Sequence, residues 1–223
     1  MLLTCSAILF DLDGVLVNSI ASVERQWRKF AIRHQLDPDY VLHTAHGHRT
    51  VETIRILVPN ADVAAEAAVI ERNEIEDVDG LRATDGAAEL LASLPLERWA
   101  VVTSGTRALA TRRLDVAGLP QPRRMVAADE VTRGKPDPEP YLKGARALGV
   151  DPLTCLVFED APSGIRAAKA ASMHVIGVPG TYVASELNQA DGLVRSLLDV
   201  RAHVNDEHRL AVELIQLEMS AAR

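Results

Sequence analysis

The chain has 223 residues, 48% of them hydrophobic and 25% charged, the make-up of a water-soluble globular protein with room for one core and an inserted module. Its formal net charge of −7, with no basic patch or aromatic–basic tract, argues against a nucleic-acid binder, and no apolar stretch approaches the roughly 20 residues of a membrane span. Cys5 and Cys155 make no disulfide framework, and residues 1–5 lack the basic start and apolar h-region of a signal peptide, so the chain reads as cytoplasmic with reduced thiols.

The first predicted strand covers residues 7–10, Ala-Ile-Leu-Phe, apolar and short enough for a buried parallel strand. It stops at Asp11 and Asp13, one residue apart, followed by Gly14. Carboxylates at the end of a buried strand are costly unless they bind a cation or do chemistry. In open α/β sheets, ligands sit at the carboxyl ends of the strands. Asp followed by Gly is also ordinary turn chemistry, so the pair alone leaves both readings open. If the turn swings Asp13 over a pocket mouth, Asp11 suits a nucleophile and Asp13 a general acid and base.

Asn18 or Ser19 then caps a helix with apolar residues at Ile20, Val23, Trp27 and Phe30, and Asp37-Pro38 ends it. A second amphipathic segment carries Val51, Ile54, Leu57 and Val58 and stops at Pro59. A third, alanine-rich and acidic, covers residues 61–77. No strand signal appears between residues 17 and 79, so a helical insertion follows the first strand, with residues 79–85 as the return linker. The expected division is a core of residues 1–17 and 80–223 and a helical cap of residues 18–79.

From residue 85 onward, helices and strands alternate. Ala87, Leu90, Leu91 and Leu94 mark a helix, 99–103 a strand, and 109–117 a helix closed by Gly118. Residues 125–128 form a short strand, and 138–148 a helix with Asp137 as N-cap, Pro138 at its first position and Gly149 past its end. A strand at 153–158, a helix at 163–171, a strand at 174–178 and a short strand at 193–194 follow. This βαβ rhythm predicts an α/β fold with a doubly wound parallel sheet. Residues 206–223, with Leu210, Leu214, Ile215 and Leu217 at helical spacing, are expected to form a last helix packed on the core.

Three further stretches carry candidate chemistry. The strand at 99–103 ends in Thr103-Ser104-Gly105-Thr106 before a helix, where amides and hydroxyls can make an anion site. Lys135 lies between Gly134 and Pro136-Asp137-Pro138, so its compact ammonium leaves a stiff loop. The strand at 153–158 ends in Glu159-Asp160, a second acidic strand end, and two such ends facing one crevice repel unless a hard cation lies between them. Mg²⁺ suits that place, since it favours carboxylate oxygens and substrate phosphate.

In this order the stretches resemble the four motifs of the haloacid dehalogenase superfamily of phosphatases, over residues 7–178. The resemblance implies a Rossmann-like core with a small helical cap, and a Mg²⁺-dependent phosphatase that works through an aspartyl phosphate. It implies Asp11 as nucleophile, Asp13 as acid and base, and Lys135 as the neutralising cation. Thr103, with Ser104 and Gly105 beside it, would hold the phosphoryl group, and Asp11, Asp13, Glu159 and Asp160 would hold the metal. The stretches VVTSGTR, RGKPDPEPYLKGARALG and VFEDAPSGIRAAKAA, with Gly47-His48-Arg49-Thr50, resemble the glycerol-3-phosphatase and 2-deoxyglucose-6-phosphatase group. The expected substrate is a small phosphorylated polyol or sugar, gripped by Gly47, His48 and Arg49 of the cap, in a monomer or weak homodimer with no nucleic-acid or membrane partner. A phosphosugar mutase with the same core chemistry is the alternative.

Overall fold

The structure is a computed structural model, and it describes residues 1–217. The chain opens with two strands, β1 (Leu2–Cys5) and β2 (Ala7–Phe10), and a two-residue strand β3 (Val17–Asn18). Four helices follow, α1 (Ile20–Arg33), α2 (Pro38–Ala45), α3 (Thr50–Leu57) and α4 (Val63–Glu76), before β4 (Arg82–Ala83). The chain then alternates through α5 (Ala87–Ser93), β5 (Trp99–Val102), α6 (Arg107–Val116), β6 (Met125–Val126) and α7 (Glu139–Leu148). It continues with β7 (Cys155–Glu159), α8 (Pro162–Ala170), β8 (His174–Gly177) and β9 (Gly192–Leu193), and ends in β10 (Val200–Val204) and β11 (Leu210–Leu214).

The main sheet has the order β6-β5-β2-β7-β8-β9, all parallel, which is the doubly wound architecture. Every residue of β2, β5 and β7 is buried, as continuous apolar strands between two helical layers must be. Phe10 stacks on Phe158 at a ring separation of 5.5 Å and meets the edge of Trp99 at 6.3 Å, so the three central strands share one aromatic layer. On the opposite face, Leu9, Val102 and Val157 join Tyr141 and Ala145 of α7 and Ile165 of α8.

The inserted helices have their own apolar cluster, with Trp27, Phe30, Val41, Ile54 and Ile70 nearly or fully buried. The chain enters and leaves this insert side by side, because Val17 pairs with Ala83 and Asn18 with Arg82. The sequence reading missed α2. Asp37-Pro38 does end α1, but it also starts the next helix: the Asp37 side chain accepts from the Tyr40 amide, with Pro38 at the first position.

The expected C-terminal helix is corrected by the structure. Within residues 206–217, Leu210–Leu214 is strand β11, held antiparallel between β1 and β10, while residues 218–223 lie outside the described residues. Leu210, Val212 and Leu214 face the core and Glu213 faces out, a period of two. A four-residue spacing such as 210–214 satisfies both periods, and the turn decides between them. Asn205 makes that turn: its side chain accepts from the Glu207 and Arg209 amides, and His208 adopts a positive φ of 57°.

Candidate active site

The site lies at the carboxyl ends of β2, β5 and β7, where the sheet stops and the insert overhangs. The Asp11 amide continues the ladder to the Phe158 carbonyl, which carries its side chain straight out of the sheet. A tight turn follows, with the Leu16 and Val17 amides both donating to the Leu12 carbonyl. Gly14 sits in this turn at φ +83°, and a Cβ there would come within 2.0 Å of Asp160 Oδ2. Only glycine gives the backbone both that conformation and that approach.

Lys135 is the hub of the buried charges. At 2% exposure, its ammonium donates to Asp11 Oδ1 at 2.5 Å, Glu159 Oε1 at 2.7 Å and the Val102 carbonyl at 3.0 Å. Burial opposes its charge, but Asp11 and Glu159 outweigh that cost and hold the ammonium above its ordinary range. Burial pushes the Asp11 carboxyl up to about 7 against the attraction of Lys135. Asp160 is pushed well above the carboxylate range, first by burial and then by Asp11 and Glu159.

Asp11, Glu159 and Asp160 bring carboxylate oxygens within 4.8 Å of one another. Three buried acids set against one lysine leave the cluster short of positive charge, and its donors are all oxygen. The residues therefore fit a hard divalent cation. They do not contribute alike. Glu159 accepts from Lys135 and the Tyr141 hydroxyl on Oε1 and from the Asp160 and Ala161 amides on Oε2. Both its oxygens are occupied, so Glu159 orients the cluster, while Asp11 and Asp160 are the side chains available to a metal.

Asp13 lies on the other side of the crevice. The Ser19 hydroxyl donates to its Oδ1 at 2.6 Å and Arg113 Nη1 to its Oδ2 at 2.7 Å. The second fork of Arg113 reaches Glu74 of α4 at 3.2 Å. Arg113 is buried, and its Nε is one of the buried polar atoms without a partner among the described residues. Neither Arg113 nor Glu74 was singled out in the sequence. The available signal was position: Arg113 follows Leu109 and Ala110 on the inward face of α6, and Glu74 follows Ile70 on that of α4.

Thr103, Ser104 and Gly105 line the same crevice, with Thr103 Oγ1 accepting from the Gly105 amide. Gly47 and His48 line it from the insert. The Gly47 carbonyl accepts from Ser104 and Ser163 of the core at 3.2 and 3.0 Å, closing the insert onto the sheet. Arg49 is placed differently. It is not among the residues lining the crevice, and its guanidinium, steadied by Glu52, donates to the Val131 and Thr132 carbonyls at 2.9 Å each. The sequence-expected grip on substrate is, in the structure, a tie between insert and core.

This fold and this constellation of strand-end acids, lysine and threonine define a class, and comparison with known proteins gives the same one. The family model described as haloacid dehalogenase-like hydrolase matches residues 5–172, and the chain belongs to that family. Hexitol phosphatase A of Escherichia coli is 42% identical over 198 residues, covering 86% of this chain and 92% of that protein. Glycerol-1-phosphate phosphohydrolase 1 of Saccharomyces cerevisiae is 36% identical over 229 residues, covering 96% and 91%. A solved hydrolase from Pseudomonas syringae superposes with a TM-score of 0.78 at 26% identity over 87% of this chain and 95% of its own. The chain is a phosphoric monoester hydrolase. No helix among the described residues is long and apolar enough to cross a membrane.

Proposed function

We propose that the protein hydrolyses a small phosphorylated polyol or sugar through an aspartyl phosphate, with Mg²⁺ as cofactor. The observation that carries the reading is the pairing of the two aspartates with opposite partners: Asp11 with Lys135 in the buried cluster, and Asp13 with Ser19 and Arg113 across the crevice. An Asp11 oxygen attacks phosphorus, and the ester bond breaks as the leaving oxygen takes a proton from Asp13. Water then attacks the aspartyl phosphate, Asp13 recovers a proton from it, and inorganic phosphate and free Asp11 remain.

Lys135 and the Thr103 hydroxyl face the charge that develops on the phosphoryl oxygens. A divalent cation held by the Asp11 and Asp160 side chains and the Asp13 carbonyl would supply further neutralisation of that charge. The insert acts as a cap, and its contacts through Gly47 and Arg49 keep bulk water away during the reaction. The substrate class rests on the names of the relatives, a hexitol phosphatase and a glycerol phosphate phosphohydrolase, and on the polar groups His46, His48, Thr50 and Glu74 that the insert brings to the crevice. Phosphate release from glycerol phosphate, hexitol phosphates and 2-deoxyglucose 6-phosphate, with Mg²⁺ and with excess chelator, tests the proposal. Release that needs the metal supports it; an isomerised sugar phosphate without release would make the protein a mutase.

A further inference from the structure

We infer that Glu74, held by Arg113, selects the leaving group: it accepts a hydrogen bond from a hydroxyl near the ester carbon and disfavours a leaving group that carries its own negative charge. The inference rests on the phosphatase reading above and deepens it. Glu74 is 5% exposed yet lines the catalytic crevice, and its Oε2 is engaged by Arg113. Among the described residues its side chain makes its one hydrogen bond through Oε2, which leaves Oε1 free to accept. A carboxylate oxygen is an acceptor with no donor of its own, so it matches a hydroxyl.

Position supports the same role. Arg113 bridges Asp13 Oδ2 at 2.7 Å and Glu74 Oε2 at 3.2 Å. The leaving oxygen must reach Asp13, so Glu74 lies about one guanidinium fork and two hydrogen bonds further along, the reach of the next two or three carbons. Val23, Trp27 and Leu109 line the crevice beside it and can cover the carbon chain.

The charges on this side exclude an anionic tail. Behind Glu74, a recess continues past Glu71 and Asp129. The arginines bordering crevice and recess are Arg113 and Arg49, neither lining includes a lysine, and both arginines are spent. Arg113 serves Asp13 and Glu74, and Arg49 serves Glu52 and two carbonyls. Beside Glu74, a second phosphate or a carboxylate would meet carboxylates with no unspent arginine or lysine to receive it, which costs more inside a low-dielectric crevice than in water.

The test compares specificity constants on three esters: glycerol 3-phosphate, n-propyl phosphate, which lacks the hydroxyls, and phosphoglycolate, which ends in a carboxylate. Burial pushes the Glu74 carboxyl up to about 7, so rates are read at about pH 8, where it is mostly ionised. In Glu74→Ala the ratio of glycerol 3-phosphate to propyl phosphate should fall roughly 10- to 100-fold, the worth of a hydrogen bond to a charged group. In Glu74→Gln, which keeps the shape without the charge, the ratio of phosphoglycolate to glycerol 3-phosphate should rise about tenfold or more. Should the alanine variant not fold, the glutamine variant decides alone. Ratios that stay within about twofold of wild type, including equal losses on all three esters, overturn the inference while leaving the phosphatase reading intact. A wild-type protein that releases phosphate from none of the three, nor from p-nitrophenyl phosphate, overturns both.

Discussion

Replacing Lys135 by methionine removes the one ammonium among the buried acids while keeping the length and volume of the side chain. The change leaves Asp11, Glu159 and Asp160, all buried, without the donor that reaches the first two at 2.5 and 2.7 Å. Removing one partner of a buried ion pair costs about 3–5 kcal/mol, because the remaining charge is stranded rather than merely unpaired. In a domain of this size that is a fall in Tm of roughly 6–20 °C. The loss should depend on pH with a definite sign. Burial already pushes the Asp11 carboxyl up to about 7 with Lys135 present, and without the lysine's attraction its folded-state pKa rises further. A carboxyl whose folded pKa is raised is stabilising while protonated and loses that contribution as pH climbs through the folded value. The gap between variant and wild type should therefore be widest at about pH 8 and narrow towards pH 5, as the acids take up protons. Thermal melts of both proteins in chelator, at several pH values, measure this, and phosphatase assays should show loss of both binding and turnover. Lys135→Arg should not rescue activity fully, since a planar fork cannot place one compact charge between two carboxylates. A variant with unchanged kinetics, or with a stability loss that is flat from pH 5 to 8, would refute the reasoning.

Asp11→Asn should abolish turnover and leave no trappable aspartyl phosphate, whereas Asp13→Asn should slow an alkyl phosphate by roughly 10²–10⁴-fold, as read by rapid-quench labelling and steady-state rates. In the metal-free protein Asp11 binds its proton more tightly than the 3.8 of an ordinary aspartate, so stability should decline as pH rises from about 4 to 7. The increase in Tm on adding Mg²⁺ should be larger at pH 8 than at pH 5.5, because the cation needs the ionised carboxyl. Arg49→Met should loosen the cap from the Val131 and Thr132 carbonyls and lower kcat/KM for aryl and polyol phosphates alike; a loss confined to the polyol ester would return Arg49 to the substrate site.

The strand-end acids were legible because charge at the end of an apolar run is rare without a reason, and Asp11, Asp13, Glu159 and Asp160 all stand there. The parallel sheet was legible for a similar reason: fully buried strands such as β5 and β7 are written as unbroken apolar stretches. What the sequence hides is partnership. Asp13 and Arg113 are 100 positions apart, and Arg113 and Glu74 are 39 apart, so no local pattern joins them. Arg49 shows the converse: a polar loop beside a crevice reads as substrate-facing, while in the structure the carbonyls of the Val131–Thr132 stretch take its donors. β11 was misread because Leu210 and Leu214 fit either period, and the choice depended on a distant partner, β1, more than 200 residues away.

The two-residue ribbon of β3 and β4 makes the insert a removable cassette. Its first and last residues leave the core as hydrogen-bonded neighbours, Asn18 opposite Arg82, so the core sees almost the same two-point anchor whatever helices hang from it. Joining such adjacent ends costs little loop entropy, and a longer or shorter insert changes that cost only logarithmically. Grafting another set of helices at this ribbon is therefore a route to new substrate preference that leaves Asp11 and Lys135 untouched. The graft has to match a short list of contacts: a carboxylate for Arg113, a hydroxyl for Asp13, a carbonyl for Ser104 and Ser163, and a donor for the Val131–Thr132 carbonyls. A cassette lacking the first of these would strand a buried guanidinium with only Asp13 for company, and one lacking the Ser19 hydroxyl would take a donor from Asp13 itself.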